Sequence, residues 1–196
     1  MSAGRAINTK SKEWGTPQKY VDAVKEFFGG EIDLDPCSNE YSIVNALVEY
    51  RLPYYDGLQA SWDYPRIYVN PPYGRDKERD TTIYDWLKQC AWANIRYHSQ
   101  VLALIPVATN TKHWKQFVFG NASMICFLRD TRLRFLENGQ DVGKGAPMAC
   151  AMVYWGINEN VGDGGEGTVE YLRRRQRFKH IFSQHGTVID ITELIK

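Results

Sequence analysis

The chain has 196 residues and is expected to fold as one α/β domain. Its central sheet should be mostly parallel, with helices on both faces. Three observations lead to that reading. Apolar strand-like runs alternate with amphipathic helical segments along the chain, the pattern of a layered α/β sandwich. Val101 to Ile105 is a continuous apolar run, as a strand buried on both faces requires. Ile67-Tyr68-Val69 is another, and it stops abruptly in Asn70-Pro71-Pro72-Tyr73. Two successive prolines have no N–H to give, so that run must be a stiff loop at a strand end. Open α/β sheets place their chemistry at such ends.

Each element follows in order. Residues 1–13 are polar and expected to be a flexible segment, leaving 14–196 as the domain. Pro17 should open a helix with Thr16 as its N-cap. Tyr20, Val21, Val24, Phe27 and Phe28 recur at helical spacing, and Gly29-Gly30 stops them. Ile32-Asp33-Leu34 reads as a short strand, and Asn39 to Tyr50 as a second helix with Ile43, Ala46, Leu47 and Tyr50 on one side. After the Ile67–Val69 strand, Thr81 to Tyr97 is an amphipathic helix through Ile83, Trp86, Leu87, Cys90 and Ala93. His113 to Phe119 is a short helix; Met124 to Leu128 and Met148 to Trp155 are strands around an Arg-rich connection. Gly162 to Gly167 reads as flexible, Thr168 to Gln184 as a basic helix, and Thr187 to Ile191 as a last strand. An antiparallel strand is expected near the C-terminal edge.

Composition removes several function classes. Hydrophobic residues make up 43% and charged residues 24%, as in ordinary globular domains. No apolar run is long enough to span a bilayer and the N-terminus has no signal-peptide core, so a cytoplasmic location and no membrane partner are expected. Cys37, Cys90, Cys126 and Cys150 are far apart with no paired Cys or His spacing; thiols are expected, and no metal. A net charge of +1 leaves nucleic-acid contact to local clusters of Lys and Arg.

The proline loop carries the chemistry. The Asn70 side-chain carbonyl and the Pro71 backbone carbonyl can both accept from one amino group. Tyr73 can stack on a flat ring. A planar heterocycle with an exocyclic NH₂ answers that description. Accepting both N–H bonds would favour a tetrahedral nitrogen whose lone pair points out of the ring plane.

Other segments agree with this loop: Trp14-Gly15-Thr16-Pro17, Leu34-Asp35-Pro36-Cys37-Ser38, Asp56-Gly57-Leu58 with Trp62, Leu104-Ile105-Pro106, and Arg132-Leu133-Arg134-Phe135. In this order they resemble the compact phage and prophage DNA N-6-adenine methyltransferases that use S-adenosylmethionine. The resemblance runs from about Trp14 to Trp155. It implies a single Rossmann-like class I methyltransferase domain and a bacterial host cell. It also implies double-stranded DNA as partner, with the target adenine flipped out. Asn70, Pro71, Pro72 and Tyr73 become the catalytic residues. Trp14, Thr16, Pro17, Asp35, Pro36, Cys37, Ser38, Asn39 and Asp56 become the cofactor-binding set, with Asp35 near the methionine amino group and Ser38 or Asn39 supplying donors. The wider family follows its Asp-Pro with a glycine turn; here the turn reads Cys37-Ser38-Asn39. The plainer readings are that Asp35 caps a helix and that Asp56-Gly57 only makes a turn. Some RNA and protein-glutamine methyltransferases share the loop, cytosine-N4 enzymes more often begin it with Ser, so that Asn70 favours adenine, and a catalytically silent DNA-binding accessory protein could keep the fold.

Three basic clusters could meet phosphate. Arg75, Lys77 and Arg79 follow the catalytic loop, at the mouth of the expected site. Arg132, Arg134 and Lys144, with Arg129, lie in a connection that could enter a groove as a hairpin. Arg173, Arg174, Arg175, Arg177 and Lys179 crowd one helix, whose plain reading is a solvated face. Thr109 to His113 should face the cleft, with His113 as a loop or cap residue.

Overall fold

The structure is a computed structural model that describes residues 14–130, 132–143, 145–146, 148–156 and 166–192. The expected flexible segment 1–13, most of the Gly162–Gly167 connection, and Lys144 lie outside the described residues.

One seven-stranded sheet dominates. In chain order its strands are β2 (Leu34–Asp35), β3 (Val48–Glu49), β4 (Arg66–Val69), β5 (Gln100–Pro106), β6 (Met124–Leu128), β9 (Cys150–Trp155) and β10 (Gly186–Asp190). Their order across the sheet is β3-β2-β4-β5-β9-β6-β10. A second sheet joins β1 (Trp14–Gly15) to a hairpin of β7 (Leu136–Glu137) and β8 (Gln140–Asp141). The helices are α1 (Gln18–Phe28), α2 (Ile83–Tyr97) and α3 (Glu166–Phe182), with a π-helical segment at Trp114–Val118 in place of the short helix expected there.

The sheet is mixed rather than mostly parallel. β3, β2, β4 and β5 pair in parallel, whereas β5/β9, β9/β6 and β6/β10 are antiparallel. The cause is the connection after β6. No crossover helix follows Leu128, so the chain stays at that end of the sheet. It re-enters at Cys150 beside Pro106 and must run back.

Residues alternate cleanly between the two faces. Tyr68, Leu102, Leu104, Met152 and Tyr154 face α1 and α3, where Phe27, Phe178 and Phe182 meet them. Ile67, Val69, Val101, Ala103 and Val153 face α2 and the π-helical segment. Helices therefore cover both faces, as expected. Each fully buried Leu, Ile or Phe side chain contributes about 1.5–3 kcal/mol, so this double core is what makes the strand ends a rigid platform.

Three local expectations are corrected. Thr16 does not cap α1: the cap position is Pro17, and the Thr16 hydroxyl is buried against the Tyr68 hydroxyl at 2.7 Å. α1 does stop at Gly29 and Gly30, both at positive φ (82° and 114°), as the sequence indicates. Asn39 to Tyr50 is not a helix. The Asn39 side chain accepts from the Tyr41 N–H and the Ser42 hydroxyl from the Val44 N–H, offering the backbone an alternative to helix. Val48–Glu49 then pairs with Leu34–Asp35 as the sheet's edge strand. Finally, the first strand of the large sheet is Leu34–Asp35 rather than Ile32–Leu34. Asp33 instead turns its carboxylate onto Arg66, accepting from its backbone N–H at 2.9 Å and from its guanidinium at 2.7 Å. That ion pair pins the start of β4, the strand that leads into the Asn70–Tyr73 loop.

α2 opens with a capping box, Thr82 with Asp85, and begins at Ile83, two residues later than the expected Thr81 start. No described helix is long and apolar enough to cross a membrane. All four cysteines are free thiols.

Candidate active site

The carboxyl ends of β2 and β4 lie side by side and carry Asp35 and Asn70. The Asn70 amide is clamped. Its Nδ2 donates to the backbone carbonyl of Trp14 at 2.7 Å. Only the NH₂ can bond a carbonyl, so Oδ1 is turned to the other side. There the Tyr73 hydroxyl approaches Oδ1 at 3.3 Å and the Leu104 carbonyl at 3.1 Å. Tyr73 has one proton to share between two acceptors. Burial pushes its hydroxyl well above the usual tyrosine value, so it stays protonated and a donor. Pro71 is buried and Pro72 exposed.

Aromatic rings frame the loop. Trp14 stacks on Phe135 with centroids 5.2 Å apart and planes 17° apart. The Tyr73 ring stands edge-on to both, at 6.3 Å from Trp14 and 5.7 Å from Phe135. The sequence alone assigns no role to Phe135 or to the Leu104 carbonyl. The Asn70–Tyr73 loop therefore borrows its surroundings from the first strand and from the residue before the hairpin.

A narrow cleft of about 20 Å³ lies beside Asn70. Trp14, Thr16, Asp35, Cys37, Ser38 and Asn39 line it, all expected cofactor residues. Gly15, Ser42 and Val44 join them; none is in the expected set, since Gly15 has no side chain to mark it within its motif and Ser42 and Val44 lie in a stretch that reads as a helix. Pro17 and Pro36 flank the cleft without lining it. Asp56 makes the turn of its plainer reading: its carboxylate accepts from the Leu58 N–H at 3.0 Å. That turn supports the cleft from behind, since a Cβ on Gly57 would lie 1.8 Å from the Pro36 carbonyl. The Trp62 indole donates to the Gly57 carbonyl at 2.7 Å and holds the turn in place. A wider recess between Ser61 and Trp92 gathers none of the residues the sequence singles out.

Asp35 on β2, which lines the cleft, stands in register with Glu49 on the neighbouring strand β3. Asp35 is 4% exposed and accepts from the Cys37 N–H at 3.1 Å. Burial pushes its carboxyl up to about 7, and the charge of Glu49 adds to the shift. Glu49 pairs with Arg51 through one oxygen; its other, Oε1, is buried with no hydrogen-bond partner among the described residues. A buried acceptor of that kind suits a hydroxyl or ammonium donor. Glu49 escapes a sequence reading because its stretch has the spacing of a helix.

The profile of the DNA N-6-adenine-methyltransferase (Dam) family matches residues 5–160. The chain belongs to that family. Membership implies adenine methylation of DNA, a methyl donor and a DNA substrate. No curated protein and no solved structure matches the chain. The Dam match covers every motif segment and ends before α3 and β10 begin.

The basic clusters of this Dam-family chain differ in how committed they are. Arg75 is paired with Asp80 and Arg79 with Asp76, both inside the loop that follows Tyr73, while Lys77 is exposed. Arg132 and Arg134 are exposed, on alternate positions from buried Leu133 and Phe135. On α3, Arg174 pairs with Glu170 and Arg175 with the buried Asp190, a structural use; Arg173 and Arg177 face outwards. His113 bonds Thr111 at 3.1 Å, burial holds its ring below the ordinary value, and it occupies the cap position of the π-helical segment, the helix-cap alternative of its sequence reading. Among the described residues no group of His, Cys, Asp and Glu is arranged to hold a metal ion.

Proposed function

We propose that the chain methylates the N6 amino group of adenine in double-stranded DNA, using S-adenosylmethionine, after the base is turned out of the helix. The observation that carries this is the Asn70 clamp. With Nδ2 held by the Trp14 carbonyl, Oδ1 is presented as a positioned acceptor, and the Pro71 carbonyl follows it in the chain. The adenine amino nitrogen is a poor nucleophile because its lone pair is delocalised into the ring. Two acceptors on its two N–H bonds draw it towards a tetrahedral geometry and stabilise positive charge developing on nitrogen. When bound, the cofactor would supply an electrophilic sulfonium methyl to that lone pair, and the amino nitrogen would give up one of its two protons to water.

The cleft residues fit such a cofactor. Asp35 would hold its ammonium, and burial of the carboxyl makes that partner valuable. Glu49 Oε1 offers an acceptor for one of its hydroxyl donors. Ser38 and Asn39 supply polar groups at the end of β2. A pocket at the strand ends cannot reach a base inside a duplex, so the adenine must be extruded. Tyr73 would then stack on it, worth about 1–3 kcal/mol and offsetting part of the lost stacking. The parallel half of the sheet, with its cleft at the carboxyl ends, supports a single Rossmann-like methyltransferase domain.

Tritiated-methyl transfer from S-adenosylmethionine into DNA, RNA and protein in parallel tests the proposal. N6-methyladenine in DNA is the expected product. Label only in cytosine, RNA or protein, or no transfer at all, would overturn it.

A further inference from the structure

Residues 132–135 form a two-sided segment. Arg132 and Arg134 are exposed; Leu133 is 1% and Phe135 4% exposed. A period of two places alternate side chains on opposite faces of an extended chain. One face is cationic. The other face reaches the catalytic loop, because Phe135 stacks on Trp14 and stands edge-on to Tyr73.

The segment leads directly into the β7–β8 hairpin, whose two-residue turn has Asn138 and Gly139 at positive φ (51° and 75°). β7 pairs with β1 in the register Trp14–Glu137 and Gly15–Leu136. A Cβ on Gly15 would lie 3.2 Å from the Leu136 Cβ, so the two strands approach closely. At the turn, a Cβ on Gly139 would lie 3.3 Å from the Tyr41 carbonyl, beside the loop that lines the cofactor cleft. The base of the arm is closed by the Ala146 N–H donating to the Leu133 carbonyl at 2.7 Å. Trp14 is thus held by backbone pairing and by its ring, and it is the Trp14 carbonyl that orients Asn70.

We infer that Phe135 is a positioning residue for Asn70, and that the arm of Arg132 and Arg134 couples DNA contact to the geometry of the catalytic amide. This deepens the proposed function and rests on it. DNA pressing on the cationic face would seat Phe135 and Trp14, and through the Trp14 carbonyl set the direction of Asn70 Oδ1. The arm then affects turnover as well as affinity.

The test compares wild type with Phe135→Ala, Phe135→Leu, Phe135→Tyr and the double variant Arg132→Ala/Arg134→Ala. Turnover at saturating DNA and cofactor, KM for DNA, calorimetric affinity for S-adenosylhomocysteine and thermal unfolding are read for each. Phe135→Leu keeps apolar volume and Phe135→Tyr keeps the ring. If Phe135→Ala fails to fold, this pair still decides the question. Phe135→Ala and Phe135→Leu should lose about tenfold or more in kcat, since small misplacements of a reacting group are costly. Cofactor affinity should stay near wild type and Phe135→Tyr should recover most of the loss. The double arginine variant should lower kcat as well as raise KM. Unchanged kcat in Phe135→Leu, or a double variant that alters KM alone, would overturn the inference. Wild type that methylates no adenine in DNA would overturn the proposed function and this inference with it. Active wild type with an indifferent Phe135 would remove only the positioning role.

Discussion

Asn70 and Trp14 lie 56 positions apart in the chain, yet the side-chain amide of one donates to the backbone carbonyl of the other at 2.7 Å. That hydrogen bond fixes which end of the Asn70 amide is the donor and leaves Oδ1 as the acceptor that the proposed mechanism uses. A primary amide is the side chain that can donate to a carbonyl on one side and accept from an amino group on the other.

Asn70→Ala should therefore lower turnover by about a hundred- to a thousand-fold, the usual cost of removing one group aimed at developing charge. Asn70→Asp should also fail, because its carboxylate has no N–H for the Trp14 carbonyl. Cofactor affinity should persist in both. Single-turnover methyl transfer alongside calorimetry checks this; near-native transfer by Asn70→Ala would refute the assigned role.

Tyr73 has two separable parts. Tyr73→Phe removes the donor shared by Asn70 Oδ1 and the Leu104 carbonyl, and a neutral hydrogen bond is worth about 1 kcal/mol. Tyr73→Ala also removes the ring that stands edge-on to Trp14 and Phe135. The expected order of activity is wild type, then Phe, then Ala. Equal loss in Phe and Ala would mean the hydroxyl alone matters and would end the stacking assignment.

Asp35 gives a pH signature. Its folded carboxyl titrates at about 7, raised by burial from the ordinary aspartate value. A raised carboxyl binds its proton more tightly when folded. Its stabilising effect is thus complete at acid pH below the unfolded value, and it is lost as pH rises through about 7. Cofactor affinity should move the other way, since an ammonium prefers the ionised form and gains as pH rises through 7. Asp35→Asn should flatten both profiles, with a higher Tm than wild type above pH 7 and weaker binding of S-adenosylhomocysteine. A wild-type affinity independent of pH between 6 and 8 would leave Asp35 with only its bond to the Cys37 N–H.

For DNA, Lys77 should matter more than its neighbours, because Arg75 and Arg79 are already paired with Asp80 and Asp76. Each phosphate left without its cation should reduce the log–log salt slope by about 0.9. Lys77→Ala should show that reduction alone. Arg132→Ala and Arg134→Ala should in addition relax sequence preference, as expected of side chains that reach base edges. Arg173→Ala with Arg177→Ala is the control on α3. A slope altered only by the α3 pair would move the DNA to the other side of the molecule.

Much of this is legible in the sequence, for physical reasons. β4, β5, β6 and β9 are apolar runs whose burial leaves little choice of structure, and α1 and α2 carry clean helical spacing. The Asn70–Tyr73 loop announces itself through its prolines. The direction of β9 is hidden, because strand polarity depends on whether a crossover helix intervenes, and residues 129–149 contain an excursion instead. Asn39–Tyr50 has helical spacing, but its side-chain–backbone bonds and edge pairing with β2 outweigh that local preference. Glu49 is hidden along with it. Phe135 sits in a recognisable motif but shows no role there, since its partner Trp14 is distant in the chain.

The pairing of β1 with β7 also bears on how the protein is made. A ribosome delivers Trp14 early and Glu137 late, and domains form only as their segments emerge. Asn70 will have left the exit tunnel long before its anchor is in place. The nascent chain therefore passes through a stage in which the sheet's parallel half can assemble while the methyl-transfer apparatus is still unbuilt. Long-range pairing of this kind forms slowly compared with local helix, so competence for catalysis should be among the last properties the newborn chain acquires.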